Sequence, residues 1–348
     1  MKVEKKKLGT LEKCYCVQRL VFEGKEHLLI AAEKQDACQL FNIEGEYEET
    51  IWEQPGGTMS MVQVPESDGV FLATHKFYSP NDSKDAKIVC VSPDNGEWKV
   101  NTIKELPFVH RFDILKRNGV QYLIACTIKS DHQYKEDWTS PGKVYAGVLP
   151  SDLSSYSEDN QVELTVIQDG MTKNHGYYKV ECDGQESAII SCQEGIFRFT
   201  PPVAPDKEWE IKKLLDVSAS DAVLMDLDGD GKKELIVIAP FHGEQILIYK
   251  EEGDTFEKVY ECEEPLEFAH AICGGIIGGR PAVVIGHRKG KRNLYLFFWD
   301  AKKKKFVHEV IDEDCGSANV IHFKREGKDF LVATNREINE IAMYQIGE

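Results

Sequence analysis

The chain has 348 residues, a net charge of −17 and 42% hydrophobic residues, ample for a large core. The acidic balance excludes non-specific attraction to nucleic acid or to an anionic membrane surface as a basis for function. No apolar run reaches the length of a membrane span, and residues 1–8 lack the apolar stretch of a secretory signal, so a cytoplasmic protein is expected. Ten cysteines fall at no spacing suited to zinc or to a disulfide framework; they read as buried thiols in a reducing compartment.

In chain order, the first strand-like run is residues 2–5, which resemble residues 210–213. A glycine then recurs ahead of an apolar run, at Gly24, Gly69, Gly119, Gly184, Gly231, Gly279 and Gly327, in steps of 45, 50, 65, 47, 48 and 48. A fixed period of this size marks a solenoid, a propeller or an array. Each unit reads as strand, turn, strand, strand, strand. Seven four-stranded units predict an all-β fold, a seven-bladed β-propeller. Residues 1–348 then form one domain, with blades starting near 14, 58, 108, 173, 220, 268 and 317. Outer strands, with one face buried, are predicted at 97–100, 162–166, 208–212, 256–260 and 306–310. The last unit lacks a fourth strand, so residues 1–8 are expected to complete the seventh blade and close the ring, which limits exposed sheet edges. The longest unit carries an insertion near residues 130–142; with Tyr134 and Trp138 it is expected to form a lid or pocket wall.

The repeated glycine also serves as a ruler. Nine residues before it lie His110, His175 and His270 in three units, and Tyr15, Ser60, Ala222 and Ala318 in the others. This position starts the strand that lines the channel, so the three histidines are expected at one level of one mouth. Imidazole clusters suit Zn²⁺, Mn²⁺ or Fe²⁺, which makes His110, His175 and His270 the candidate channel-metal ligands. His75, His242 and His287 follow the next strand, which returns to the same mouth. Together with Arg111, Arg288 and Tyr177 they are the candidate catalytic residues: imidazole and phenol to move protons, guanidinium to clamp carboxylates or polarise carbonyls. Adjacent strand residues face opposite ways, so His110 and Arg111 compete for the channel unless the backbone is irregular there. A water-filled polar channel is the plain alternative.

Between two apolar runs, Asp226, Asp228, Asp230 and Glu234 stand in the spacing D-x-D-x-D-G-x-x-E. Hard cations want six to eight oxygens, which such a turn supplies at alternating positions; the loop is not an EF-hand, because its twelfth position is Val237. A Ca²⁺-binding turn is expected, with a metal-free Asp-Gly hairpin as the alternative.

The acidic turn and its blade resemble the FG-GAP/VCBS-type repeats of β-propellers, which implies calcium there. The segment Gly286, His287, Arg288, the pair His110, Arg111 and the blade plan are similar to propellers of the aldos-2-ulose dehydratase type and of certain polysaccharide lyases. That resemblance implies a divalent metal with His, Tyr and Arg acting on sugars at the channel mouth. The expected function is a metal-assisted lyase, dehydratase or isomerase on a small-molecule carbohydrate or sugar acid, with Ca²⁺ in the acidic turn and Zn²⁺ or Mn²⁺ in the funnel. The alternative is a non-catalytic ligand- or protein-binding propeller with a structural calcium loop.

Overall fold

A computed structural model describes residues 1–347. Its strands form seven four-stranded antiparallel sheets, six of them built from strands consecutive in sequence. The recurring glycine closes the hairpin between the first and second strands of a blade. In five blades the loop is two residues long, and both take positive φ: Glu23 and Gly24, Asn118 and Gly119, Asp183 and Gly184, Gly278 and Gly279, Glu326 and Gly327. That is the type I′ turn, whose twist matches the strands it joins. The period seen in the sequence is therefore a backbone requirement repeated once per blade.

The second strands, such as Lys25–Ala32, Val120–Thr127 and Arg280–His287, are buried along nearly their whole length. Each lies between two neighbouring blades, so both its faces are covered and its apolar run is continuous. Core clusters form across these blade-to-blade contacts. The outer strands are mostly exposed or half-buried and do not show the strict alternation expected of them; in blade three the strand starts at Thr165 and runs to Met171, later than residues 162–166.

The ring closes as expected. The N-terminal strand Lys2–Thr10 pairs antiparallel with Glu340–Gly347, from Lys2 opposite Gly347 to Thr10 opposite Glu340. It thus becomes the outer strand of the seventh sheet. Among the described residues there is no α-helix, and no helix is long and apolar enough to cross a membrane.

Candidate metal centre at the channel mouth

The starts of three inner strands and one loop bring four histidines into one group. His175 is the hub: its ring centroid lies 4.6 Å from His110, 4.8 Å from His242 and 5.1 Å from His270. The backbone that presents them is irregular. In blades one, three and six the inner strand slips register by one residue, at Tyr15, His110 and His270. Each slip follows a non-glycine residue at positive φ, namely Lys13, Phe108 and Phe268. A bulge of this kind re-aims a side chain and is favoured beside functional sites. It also removes the competition expected between His110 and Arg111, since the two no longer obey strict alternation. His242 arrives by another route, just past the second strand of blade five, and itself adopts positive φ.

The proton positions follow from the partners. His175 Nδ1 lies 2.8 Å from Asp221 Oδ2 and 3.3 Å from the Ser220 carbonyl, both acceptors, so Nδ1 carries the hydrogen. His270 Nδ1 donates to the Ala318 carbonyl at 2.6 Å. Both rings therefore offer a bare Nε2. His270 Nε2 accepts from the Tyr15 hydroxyl at 3.0 Å, and His175 Nε2 faces His242 Nε2 at 3.3 Å. Two imidazole nitrogens at that distance need a proton or a cation between them. Ligand-capable atoms of His175, His242 and His270 all lie within 4.8 Å of one another.

His110 is not in this trio. Its Nδ1 donates to the His175 carbonyl at 3.2 Å, which holds the ring beside His175. The residues at the glycine-ruler position, His110, His175 and His270, do gather around His175, but it is His242 rather than His110 that brings a ligand-capable atom to the other two. Burial, reinforced by neighbouring imidazoles and arginines, holds His110, His242 and His270 well below the usual histidine range. They are neutral at physiological pH, the form that ligates metals.

His75 and His287 stand apart from the mouth, contrary to the sequence expectation. His75 ends its second strand packed on Trp52, with centroids 4.7 Å apart. His287 stacks on Tyr295 of the adjacent strand, with centroids 6.0 Å apart. Both sit at the end of a second strand, where side chains enter the layer between blades. The chain reaches the mouth only after that strand ends, at His242 and at Arg288. Arg288 lies over Phe268, 4.7 Å from the ring centroid, and donates from Nε to Glu337 at 2.8 Å. Glu337 in turn accepts from Arg336 at 2.9 Å.

Below the trio a cavity of about 160 Å³ is lined by Arg111, Asp113, Tyr177, Asp221, His270 and Asn319, among others. Arg111 donates to the Met59 carbonyl at 2.7 Å and to Asn319 at 3.4 Å. The Tyr177 hydroxyl is buried without a hydrogen-bond partner, and burial with the nearby Asp113 carboxyl keeps it a neutral phenol. On the outer side, His242, Phe268 and Lys289 line an open recess of about 400 Å³. The trio thus lies between recess and channel, with His242 on one side and His270 on the other.

The insertion supplies a wall. Lys129, fully buried, donates to Asn81 at 2.9 Å and to the Asp137 carbonyl at 2.7 Å, and its ammonium lies 4.1 Å from the Trp138 ring centroid. Trp138 packs edge-on against Phe241 at 5.5 Å, and Phe241 against His175 at 5.4 Å. Tyr134 points away and is 63% exposed.

Two site residues were missed in the sequence. Tyr15 stands at the ruler position of blade one, so the offset itself marked it. Asp221 stands one residue before the ruler position of blade five, whose inner strand Asp221–Met225 has no bulge.

The acidic turn lies on the same blade, between the inner strand and Glu234–Ala239. Carboxylates of Asp226, Asp228 and Glu234 converge there within 4.8 Å. The Lys250 ammonium is inserted among them, in contact with Asp228, 2.8 Å from Asp230 and 3.0 Å from Glu234.

No family model matches the chain, and no curated protein matches it. Among solved structures it is similar to the β-propeller domain of Cps50 (Swd1) from Myceliophteria thermophila. The identity is 10%, the TM-score is 0.61, and the match covers 99% of this chain and 100% of that one. At that identity the likeness concerns the fold alone, and function has to be argued from the site. The chain is a seven-bladed β-propeller of four-stranded blades, closed by its N-terminal strand.

Proposed function

We propose that the channel mouth binds a divalent transition metal and that the protein acts there as a lyase, dehydratase or isomerase on a sugar or sugar acid. One observation carries this reading: three histidines bring ligand atoms within 4.8 Å of one another, and two of them have Nδ1 tied to an acceptor. Anchoring of this kind fixes tautomer and ring orientation and is the usual support of a metal-ligating histidine. His175, His242 and His270 would hold Zn²⁺ or Mn²⁺, which when bound polarises a carbonyl or carboxylate oxygen.

The chain's own residues do the rest. Asp221 and the Ala318 carbonyl keep the Nε2 atoms of His175 and His270 bare. Burial pushes the Tyr15 phenol up to about 12, so it remains a proton donor at neutral pH. Arg111, beneath the trio, and Arg288 with Lys289, beside the recess, supply positive charge for a carboxylate-bearing ligand. Trp138 and Phe241 cover His175 and keep water from it. Metal content tests the reading. Protein purified without a His-tag or added metal is expected to carry about one equivalent of Zn, Mn or Fe, lost when His175→Ala and His270→Ala are combined. Calcium alone, or no metal, would sink it. A positive result leads to a screen of sugar acids and ketoses for an unsaturated or rearranged product.

A second reading, a non-catalytic ligand- or protein-binding propeller, is favoured by two observations. The channel cavity of about 160 Å³ is below the ~300–1,000 Å³ usual for small-molecule pockets, and Arg288 is already engaged by Glu337. Bound metal without turnover in that screen would select this reading.

A further inference from the structure

The acidic turn of blade five poses a separate question. Its spacing asks for calcium, yet most of its oxygens are already committed. Asp226 accepts from the Gly229 and Gly231 amides, at 2.7 and 2.9 Å. Asp228 accepts from the Asp230 amide at 3.2 Å, Asp230 from the Lys232 amide at 3.0 Å, and Glu234 from the Leu227 amide at 2.6 Å. Three oxygens are left facing inward, one each from Asp228, Asp230 and Glu234, and all three meet Lys250 Nζ.

Glu234 makes the site more than a surface cluster of acids. It is fully buried, and its Oε1 has no hydrogen-bond partner of good geometry. That oxygen is aimed at the place a cation must fill. Lys250 is delivered there by the sheet: on the third strand, Gln245–Glu252, it is the direct cross-strand partner of Glu234. Its side chain is only 14% exposed. An ammonium has three donors and no acceptor, and all three inward oxygens lie within ion-pair reach of it. A divalent ion would need six to eight oxygens and would have to expel a tethered positive charge first.

We infer that Lys250 is the resident cation of this turn: its ammonium takes the seat that the acidic spacing would otherwise give to a divalent ion, so the turn folds and holds without calcium. The site is independent of the histidine trio, and its test needs no activity.

The probe is CaCl₂ in calcium-free buffer, read by melting temperature and by titration calorimetry. The wild type is expected to show no melting shift and no saturable binding up to millimolar calcium. Lys250→Met, which keeps the stem and removes the charge, is expected to melt lower without calcium, to be restored by it, and to bind calcium at least tenfold tighter than the wild type. Calcium-induced stabilisation of the wild type would overturn the inference. So would a folded Lys250→Met variant indifferent to calcium. If that variant folds only when calcium is present, the inference stands. If it folds under neither condition, the wild type and Lys250→Arg decide: stabilisation of either by calcium overturns the inference, and indifference of both sustains it.

Discussion

Asp221→Asn isolates the contact that orients His175 in the proposed metal centre. Asp221 is buried, and its carboxylate accepts from His175 Nδ1 at 2.8 Å. The carboxylate can only accept, so it forces the hydrogen onto Nδ1 and leaves Nε2 bare toward His242. Asparagine fills the same space, but its amide can also donate, which admits the tautomer with the hydrogen on Nε2. That tautomer cannot ligate through Nε2. Loss of an outer-shell partner typically costs ~10–100-fold in metal affinity, about 1.4–2.8 kcal/mol. Here the Ser220 carbonyl and hydroxyl also stand 3.3 Å from Nδ1 and still hold the ring. The loss should therefore fall at the lower end, roughly tenfold. The assay is a competition titration of Zn²⁺ between apo-protein and a chromophoric chelator, with melting curves to show that the variant is folded. Wild-type affinity in Asp221→Asn, alongside lost affinity in His175→Ala, would refute the orienting role. No zinc binding by the wild type would refute the centre itself.

Two further outcomes concern the scaffold. Deleting residues 1–10 removes a strand with eight cross-strand pairs and opens the ring; at ~0.5–1.5 kcal/mol per hydrogen bond the melting temperature should fall by on the order of 10 °C, and an unchanged value would refute closure by this strand. His75 is held down to about 3, chiefly by burial and secondarily by Lys87 and Lys76. A folded value below the unfolded one means that the unfolded chain binds the extra proton, so this stability is present above about pH 6.5 and is lost as pH falls toward 3. At pH 5 the loss is about 2 kcal/mol. Urea unfolding at pH 7.5 and 5.0 should show a gap about 2 kcal/mol smaller in His75→Leu than in the wild type; an equal gap would count against the assignment.

The ring was legible because its signal is a backbone rule repeated in place. A type I′ turn needs positive φ at two successive residues, and the chain meets that need with a glycine at nearly constant spacing. The histidine level was legible for the same reason, since counting from that glycine counts along one strand. The count failed where strands are irregular or end. A one-residue bulge sits at Tyr15, His110 and His270 but is absent from blade five, so the ruler passed over Asp221 by one residue. The sequence points His75 and His287 into the funnel because the second strand returns to the mouth. The strand does return, but side chains at its end enter the layer between blades, and only residues beyond it reach the axis.

The acidic turn exposes the same limit from the other direction. Along the chain, Asp226, Asp228, Asp230 and Glu234 look like an unfinished cation site; the two lysines of their own segment turn elsewhere, Lys232 to Glu252 and Lys233 to the Glu181 carbonyl. The neutralising group is sixteen residues past Glu234 in the sequence and directly opposite it in the sheet. Asp221 and His175 stand in the same relation, on adjacent blades and 46 residues apart, joined by one 2.8 Å contact. In each case the spacing of like residues identifies what one strand offers, while the chemistry is decided by what the neighbouring strand or blade puts against it. A carboxylate opposite an imidazole fixes a tautomer and prepares a ligand; an ammonium opposite a set of carboxylates occupies the seat of one. The proposed metal centre and the acidic turn are both decided by such a partner: Asp221 orients the His175 ring, and Lys250 fills the turn.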